Sequence, residues 1–308
     1  MAIVLLRGDQ NYEPWMKSFR ESFPELPVYT PDQVTDPKSI RMAWTWKAPR
    51  GSYAQYPNLE VIGSLGAGVD HLFDDPSLPG KVILTRVVDP YLTGDMAEFV
   101  LALCLNAIKN LNTYHHFQEQ QLWKELPYRR CNQVKVGILG LGTLGQATGQ
   151  LLHQLGFQVM GWSKSKKAVE GIQSFAADEL EAMLAQSAIL ICLLPLTSET
   201  QGVLNASLFA KLPRAAHLIN VGRGGHLQED DLIPALKSGQ LSGASLDVVS
   251  QEPLPQEHPF WSHPKIHLTP HIASVSAPSS VVSQLAENYE RFIQGEPLKN
   301  QVSREDGY

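Results

Sequence analysis

Cysteine is scarce in this chain. The 308 residues hold three, Cys104, Cys131 and Cys192, far apart and without a Cys-x-x-Cys pair. That excludes a disulfide scaffold and a cysteine-built zinc site. No His-Glu-x-x-His occurs either, so no metal ligand set is expected. Cys104 and Cys192 lie in apolar runs and read as buried thiols in a reducing compartment. A strong excess of charge is also missing. The formal net charge is −6, which gives no footprint for nucleic acid. No run approaches the roughly 18 apolar residues of a membrane span. The N-terminal stretch Ile3–Leu6 meets Arg7 and Asp9 too soon for a signal peptide and reads as a first β-strand. A cytoplasmic protein without nucleic-acid or membrane partners is expected.

What is present is alternation. Short strand candidates stand at Ile3–Leu6, Met42–Trp46, Val61–Ser64 and Val82–Leu84, separated by polar or helical stretches. A helical pattern runs from Met96 to about Glu119, with Phe99, Leu103 and Ala107 spaced for one face. Beyond it, strands at Val134–Leu139, Gln158–Trp162, Ala188–Leu193, His217–Asn220, Gly243–Val248 and Ile266–Thr269 alternate with helices, and Ala277–Ile293 closes the series as a helix. Such alternation makes parallel sheets, and the length suits roughly two domains.

The most informative stretch is Val136-Gly137-Ile138-Leu139-Gly140-Leu141-Gly142-Thr143-Leu144-Gly145. An apolar strand enters Gly-x-Gly-x-x-Gly and a helical segment leaves it. Gly140 permits the tight turn, Gly142 leaves room for a pyrophosphate, and Gly145 lets helix pack on strand. The helix start at Thr143 and Leu144 then offers N–H groups to phosphate. A glycine-rich structural turn is the competing reading. About 20 residues further on, NAD-selective sites usually carry an acid that holds the ribose 2′-OH. Here the second strand ends in Trp162-Ser163-Lys164-Ser165-Lys166-Lys167. A hydroxyl with lysines around it attracts a 2′-phosphate that a carboxylate would repel, so NADP is favoured over NAD. A solvated lysine-rich turn is the alternative.

The fold class follows: α/β, two Rossmann-like domains, each a doubly wound parallel sheet, with an interdomain active-site cleft. The expected division is residues 1–98 with 276–308 as the substrate (catalytic) domain, and 99–275 as the dinucleotide-binding domain.

Three residues at strand ends could carry chemistry: Arg223 in Asn220-Val221-Gly222-Arg223-Gly224, Glu252 before Pro253-Leu254, and His271 in Thr269-Pro270-His271-Ile272-Ala273. Arg223 can fork onto a substrate carboxylate and polarise a neighbouring keto group. His271 can protonate the oxygen as hydride arrives at carbon. Glu252 can hold the ring and stabilise its imidazolium. Taken singly, each has a plain alternative: a helix-capping arginine, a turn glutamate, a structural histidine.

Taken in order, the Gly140–Gly145 turn, Val221-Gly222-Arg223-Gly224, Asp247 followed by Glu252-Pro253-Leu254, and Thr269-Pro270-His271-Ile272-Ala273 resemble the D-isomer-specific 2-hydroxyacid dehydrogenase family over essentially the whole chain. The resemblance implies a catalytic set of Arg223, Glu252 and His271. It implies cofactor contacts from Gly140, Gly142, Thr143, Leu144, Gly145, Ser163, Lys164, Lys166, Leu194, Pro195, Val221, Asp247 and Ser274. It also implies that the substrate meets Trp46, Arg223, His271 and the amides of Gly66, Ala67 and Gly68. Core packing of the Trp44 and Trp46 indoles is the competing reading for that pocket. Within the family the likeness is to NADPH-dependent reductases of small 2-keto acids, glyoxylate and hydroxypyruvate. This chain departs from them in carrying Lys164 and Lys166 where they show arginines, and lysine cannot make a planar fork. A homodimer is implied as well. Two other functions remain open here: a family member acting on a different keto acid, and a nucleotide-sensing corepressor that binds peptides. Corepressors of this fold carry extra terminal segments, whereas this chain ends at Tyr308.

Overall fold

The computed structural model describes residues 1–305 and 307–308. They divide into two compact units, residues 1–92 with 275–308, and residues 93–274.

The first unit is built on β1 (Ala2–Arg7), β2 (Val28–Tyr29), β3 (Ile40–Trp46), β4 (Val61–Ser64) and β5 (Ile83–Thr85). These form a five-stranded parallel sheet in the order β2-β1-β3-β4-β5. Helix α1 (Glu13–Ser22) covers one face and the short α2 (Asp70–Phe73) follows β4. The second unit holds α3 (Pro90–Lys109), whose first turn spans the division, then α4 (Leu111–Glu119), α5 (Thr143–Gln154), α6 (Leu180–Leu184), α7 (Ala206–Ala210) and α8 (Glu229–Lys237). Its strands are β6 (Lys135–Leu139), β7 (Gln158–Trp162), β8 (Ile172–Phe175), β9 (Ile189–Cys192), β10 (Ala216–Asn220), β11 (Leu241–Leu246) and β12 (Ile266–Leu268). All seven run parallel, in the order β12-β11-β10-β9-β6-β7-β8.

The chain returns to the first unit through α9 (Pro278–Gln294). Pro278 sets its first turn, and Gly295, in the left-handed region at φ 70°, stops it; the Glu296 amide then bonds back to the Arg291 carbonyl. Val281, Val282 and Leu285 point from α9 into a core with Trp15, Met16 and Phe19 of α1. In the second sheet the central β9 is fully buried, which is why it reads Ile-Leu-Ile-Cys without alternation.

Three local expectations change. The helix expected from Met96 to Glu119 begins earlier and is two helices, because Asn110 adopts a left-handed φ of 57° between them. Strands β2 and β8 were not visible in the sequence; both lie at sheet edges and are only two and four residues long. By length and composition α3 would pass for a membrane span, although Asp95 and Glu98 lie within it. Its apolar side belongs to the core, where Met96, Val100, Cys104 and Ile108 are buried.

Candidate active site

Because the seven strands of the second unit are parallel, their C-terminal ends share one edge of the sheet. Most of the sequence candidates stand there. The order reverses between β9 and β6, and such a reversal opens the crevice where doubly wound sheets bind ligands.

From β6 the chain passes into Gly140, held at φ 101°. Only glycine takes that conformation without strain. A side chain at Gly145 would collide with the Gly140 carbonyl oxygen, so glycine is required there for helix α5 to leave the turn at this angle. Gly142 caps α5, and the space around its missing side chain is open. The first amides of the helix, at Thr143, Leu144 and Gly145, have no carbonyl one turn back and face the turn.

Ser163 stands just past β7, its hydroxyl donating to the Ser165 carbonyl at 2.8 Å. The lysines beside it disperse. Lys164 pairs with Glu199 at 3.3 Å and Lys166 with Glu179 at 2.8 Å. Such exposed pairs are weak and open to competition by an anion. Lys167, which the candidate set omitted, reaches the glycine turn itself, donating from Nζ to the Leu141 carbonyl at 2.8 Å.

Leu194 and Pro195 follow β9, and Val221 and Arg223 follow β10. Buried Asn220 folds this second turn: its Oδ1 accepts from the Gly222 amide at 3.2 Å and its Nδ2 donates to the Arg223 carbonyl at 3.0 Å. The Arg223 guanidinium donates from Nη1 to the Gly222 carbonyl at 2.8 Å.

Glu252 and His271 meet. The His271 Nδ1 lies 2.8 and 3.0 Å from the two Glu252 carboxylate oxygens. His271 itself sits at φ 57°, a conformation uncommon for a residue with a side chain. Asp247, after β11, holds it there. The His271 amide donates to the Asp247 main-chain carbonyl at 2.8 Å. The buried carboxylate accepts from the Ile272 and Ala273 amides at 2.9 Å each and from the Thr269 hydroxyl at 2.6 Å. Asp247, expected only as a cofactor contact, is thus the anchor of the histidine turn. Half-buried Ser274 follows directly. The loop that carries Glu252 is pinned from outside the candidate set by Glu229, which accepts from the Ser250 amide at 2.9 Å and lies 3.4 Å from His258 Nε2. His258 is half-buried and edge-on to Phe260.

The first unit carries the remaining candidates. The two indoles of β3 divide: Trp44 is buried and stacked on Phe19 at 4.8 Å, whereas Trp46 is half-buried, edge-on to His71 at 4.9 Å. The Gly66 backbone lies against the Trp46 ring. Of the turn that contains Gly66, Ala67 and Gly68, the Gly66 amide is taken by the Ser64 hydroxyl at 3.3 Å, and the same hydroxyl donates to the Gly68 carbonyl at 2.8 Å.

Comparison with known proteins places the chain in a family. Residues 101–273 match the family model described as "D-isomer specific 2-hydroxyacid dehydrogenase, NAD binding domain". The chain belongs to the D-isomer-specific 2-hydroxyacid dehydrogenase family. Membership makes it an NAD(P)-dependent oxidoreductase. A glyoxylate/hydroxypyruvate reductase A from Serratia proteamaculans is 40% identical over 294 residues, 94% of each chain. Among solved structures, a family member from Xanthobacter autotrophicus Py2 in complex with NADPH and MES superposes with a TM-score of 0.95 at 39% identity, covering 100% of this chain and 99% of the other. An NADPH-dependent glyoxylate/hydroxypyruvate reductase from Sinorhizobium meliloti, in complex with NADP and sulfate, gives 0.94 at 37% identity with the same coverage.

Proposed function

We propose that this 2-hydroxyacid dehydrogenase reduces small 2-keto acids with NADPH, converting glyoxylate to glycolate and hydroxypyruvate to D-glycerate. The observation that carries the reading is the His271–Glu252 pair at 2.8 Å, on a turn anchored by Asp247. The relatives described above, named for glyoxylate and hydroxypyruvate or solved with NADPH or NADP, support the substrate and cofactor choice.

The glycine turn fits a dinucleotide: open space at Gly142 and the amides at the start of α5 suit a pyrophosphate. Ser163, with Lys164 and Lys166 able to leave their exposed partners, suits the 2′-phosphate of NADP. Leu194, Pro195, Val221 and Ser274 complete the contacts assigned to it. Bound, the reduced nicotinamide supplies the hydride.

The protein's own part is to hold the acid and deliver a proton. Arg223 takes the substrate carboxylate and polarises the adjacent carbonyl. Trp46, Gly66, Ala67 and Gly68 are assigned to the substrate as well. Glu252 accepts from His271 Nδ1, which leaves Nε2 as the ring atom that gives its proton to the keto oxygen while hydride adds to the carbon. The balance is 2-keto acid, NADPH and one proton going to 2-hydroxy acid and NADP. His271→Ala is expected to lower kcat by about 10²–10⁴, the usual contribution of a positioned general acid, with a much smaller change in KM. Steady-state rates decide this, and an unchanged kcat rules the histidine out as the acid.

The same reading makes the protein a cytoplasmic homodimer. Support comes from three thiols that form no disulfide and from the exposed apolar side chains Leu111, Leu122, Trp123 and Tyr128 around and after α4.

A further inference from the structure

Immediately after Arg223 a single 3₁₀ turn, Gly224–His226, returns the chain inward. It ends on His226, whose side chain is fully buried. Its Nδ1 accepts from the Arg223 amide at 3.1 Å, and its Nε2 lies 3.2 Å from the Pro195 carbonyl oxygen. A nitrogen that accepts carries no proton, and a carbonyl needs a donor. The ring is therefore the neutral tautomer with hydrogen on Nε2. One imidazole spans the loops after two neighbouring strands, β9 and β10. The Pro195 carbonyl is fixed from a second side by the Thr200 hydroxyl at 2.7 Å, so the strut ends on a rigid point.

We propose that His226 is a positioning residue that steadies Arg223 through one ring nitrogen and the Leu194–Pro195 loop through the other, so that one ring supports the grip on the keto acid and, separately, the grip on the dinucleotide. The proposal rests on the roles assigned above to Arg223 and Pro195. It distinguishes His226 from an ordinary satisfied core histidine because each ring nitrogen serves a different ligand, so the two halves separate by substitution. Asparagine keeps an acceptor near the Nδ1 position and loses the donor. Glutamine keeps a donor near the Nε2 position and loses the acceptor. Leucine loses both.

The test is steady-state kinetics with NADPH and glyoxylate on the wild type, Arg223→Ala, His226→Asn, His226→Gln and His226→Leu, with NADPH affinity measured in parallel by fluorescence. His226→Asn is expected to raise the KM for NADPH about tenfold and leave that for glyoxylate near wild type. His226→Gln is expected to do the reverse, and His226→Leu to raise both; tenfold is the size of one good hydrogen bond. Equal effects of the asparagine and glutamine variants on both constants, or a lowered melting temperature with both constants unchanged, would overturn the proposal. Wild-type turnover that Arg223→Ala abolishes upholds the underlying reading whatever His226 does. If the wild type turns nothing over, that reading falls. The Pro195 half is then decided by NADPH affinity alone, with equal Kd in wild type and His226→Asn counting against it.

Discussion

At the scale of single residues, type and order in the sequence reach further than neighbourhood does. Arg223, Glu252 and His271 stand out as candidates because few side chains can clamp a carboxylate, orient a ring and give a proton. His226 is not, since a histidine between glycine and leucine has no signature until its ring is seen between two loops. His217 is similar: nothing in the sequence marks it, yet it lies half-buried in β10 with its Nε2 3.0 Å from the Ser245 hydroxyl. Burial, with His267 beside it, pushes its pKa down from 6.5 to about 4. Between those values the unfolded chain binds a proton that the folded one refuses. The stability linked to His217 is thus complete above pH 6.5, declines as pH falls, and levels off near pH 4. Denaturant midpoints between pH 7 and 4 should show a shallower decline in His217→Gln than in the wild type. Parallel curves would remove this histidine from the acid response.

At the scale of elements, the glycine turn and the long buried strands were readable because each obeys one dominant constraint. Gly140 and Gly145 are demanded by a turn and a close approach, and β9 by burial on both faces. Elements set by tertiary contact were not readable. The edge strand β2 has only two residues and β8 reads Ile-Gln-Ser-Phe, without an apolar run, and the break at Asn110 depends on a left-handed residue that helical spacing does not announce. The His271 turn is the case with consequences for function, since its shape comes from Asp247, more than twenty positions earlier in the chain. An amide in place of that carboxylate would face the Ile272 or Ala273 N–H with a donor instead of an acceptor. Asp247→Asn should cost about 1–3 kcal/mol of stability for the buried group left unsatisfied. It should also lower kcat by loosening the His271–Glu252 pair. Thermal unfolding and rates with NADPH and glyoxylate check both; a variant that melts and turns over like the wild type would show that the turn holds without this anchor.

At the scale of the whole molecule, sparse cysteine and modest charge excluded functions, and alternation of strands and helices gave two parallel sheets, which the structure shows. Substrate choice is the least legible property, because one or two methylenes in a pocket are worth only about 1–3 kcal/mol. Cofactor choice is more accessible, since it turns on the charge at the end of one strand, where Ser163 stands in place of an acid. The most direct measurement is therefore the initial rate of cofactor oxidation with NADPH and with NADH, each against glyoxylate, hydroxypyruvate and pyruvate. Fast turnover of glyoxylate and hydroxypyruvate with NADPH, and slower turnover with NADH, is the expected result. Preference for NADH would contradict the 2′-phosphate assignment while sparing the Arg223, Glu252 and His271 chemistry. No turnover of any pair would contradict the reductase assignment itself.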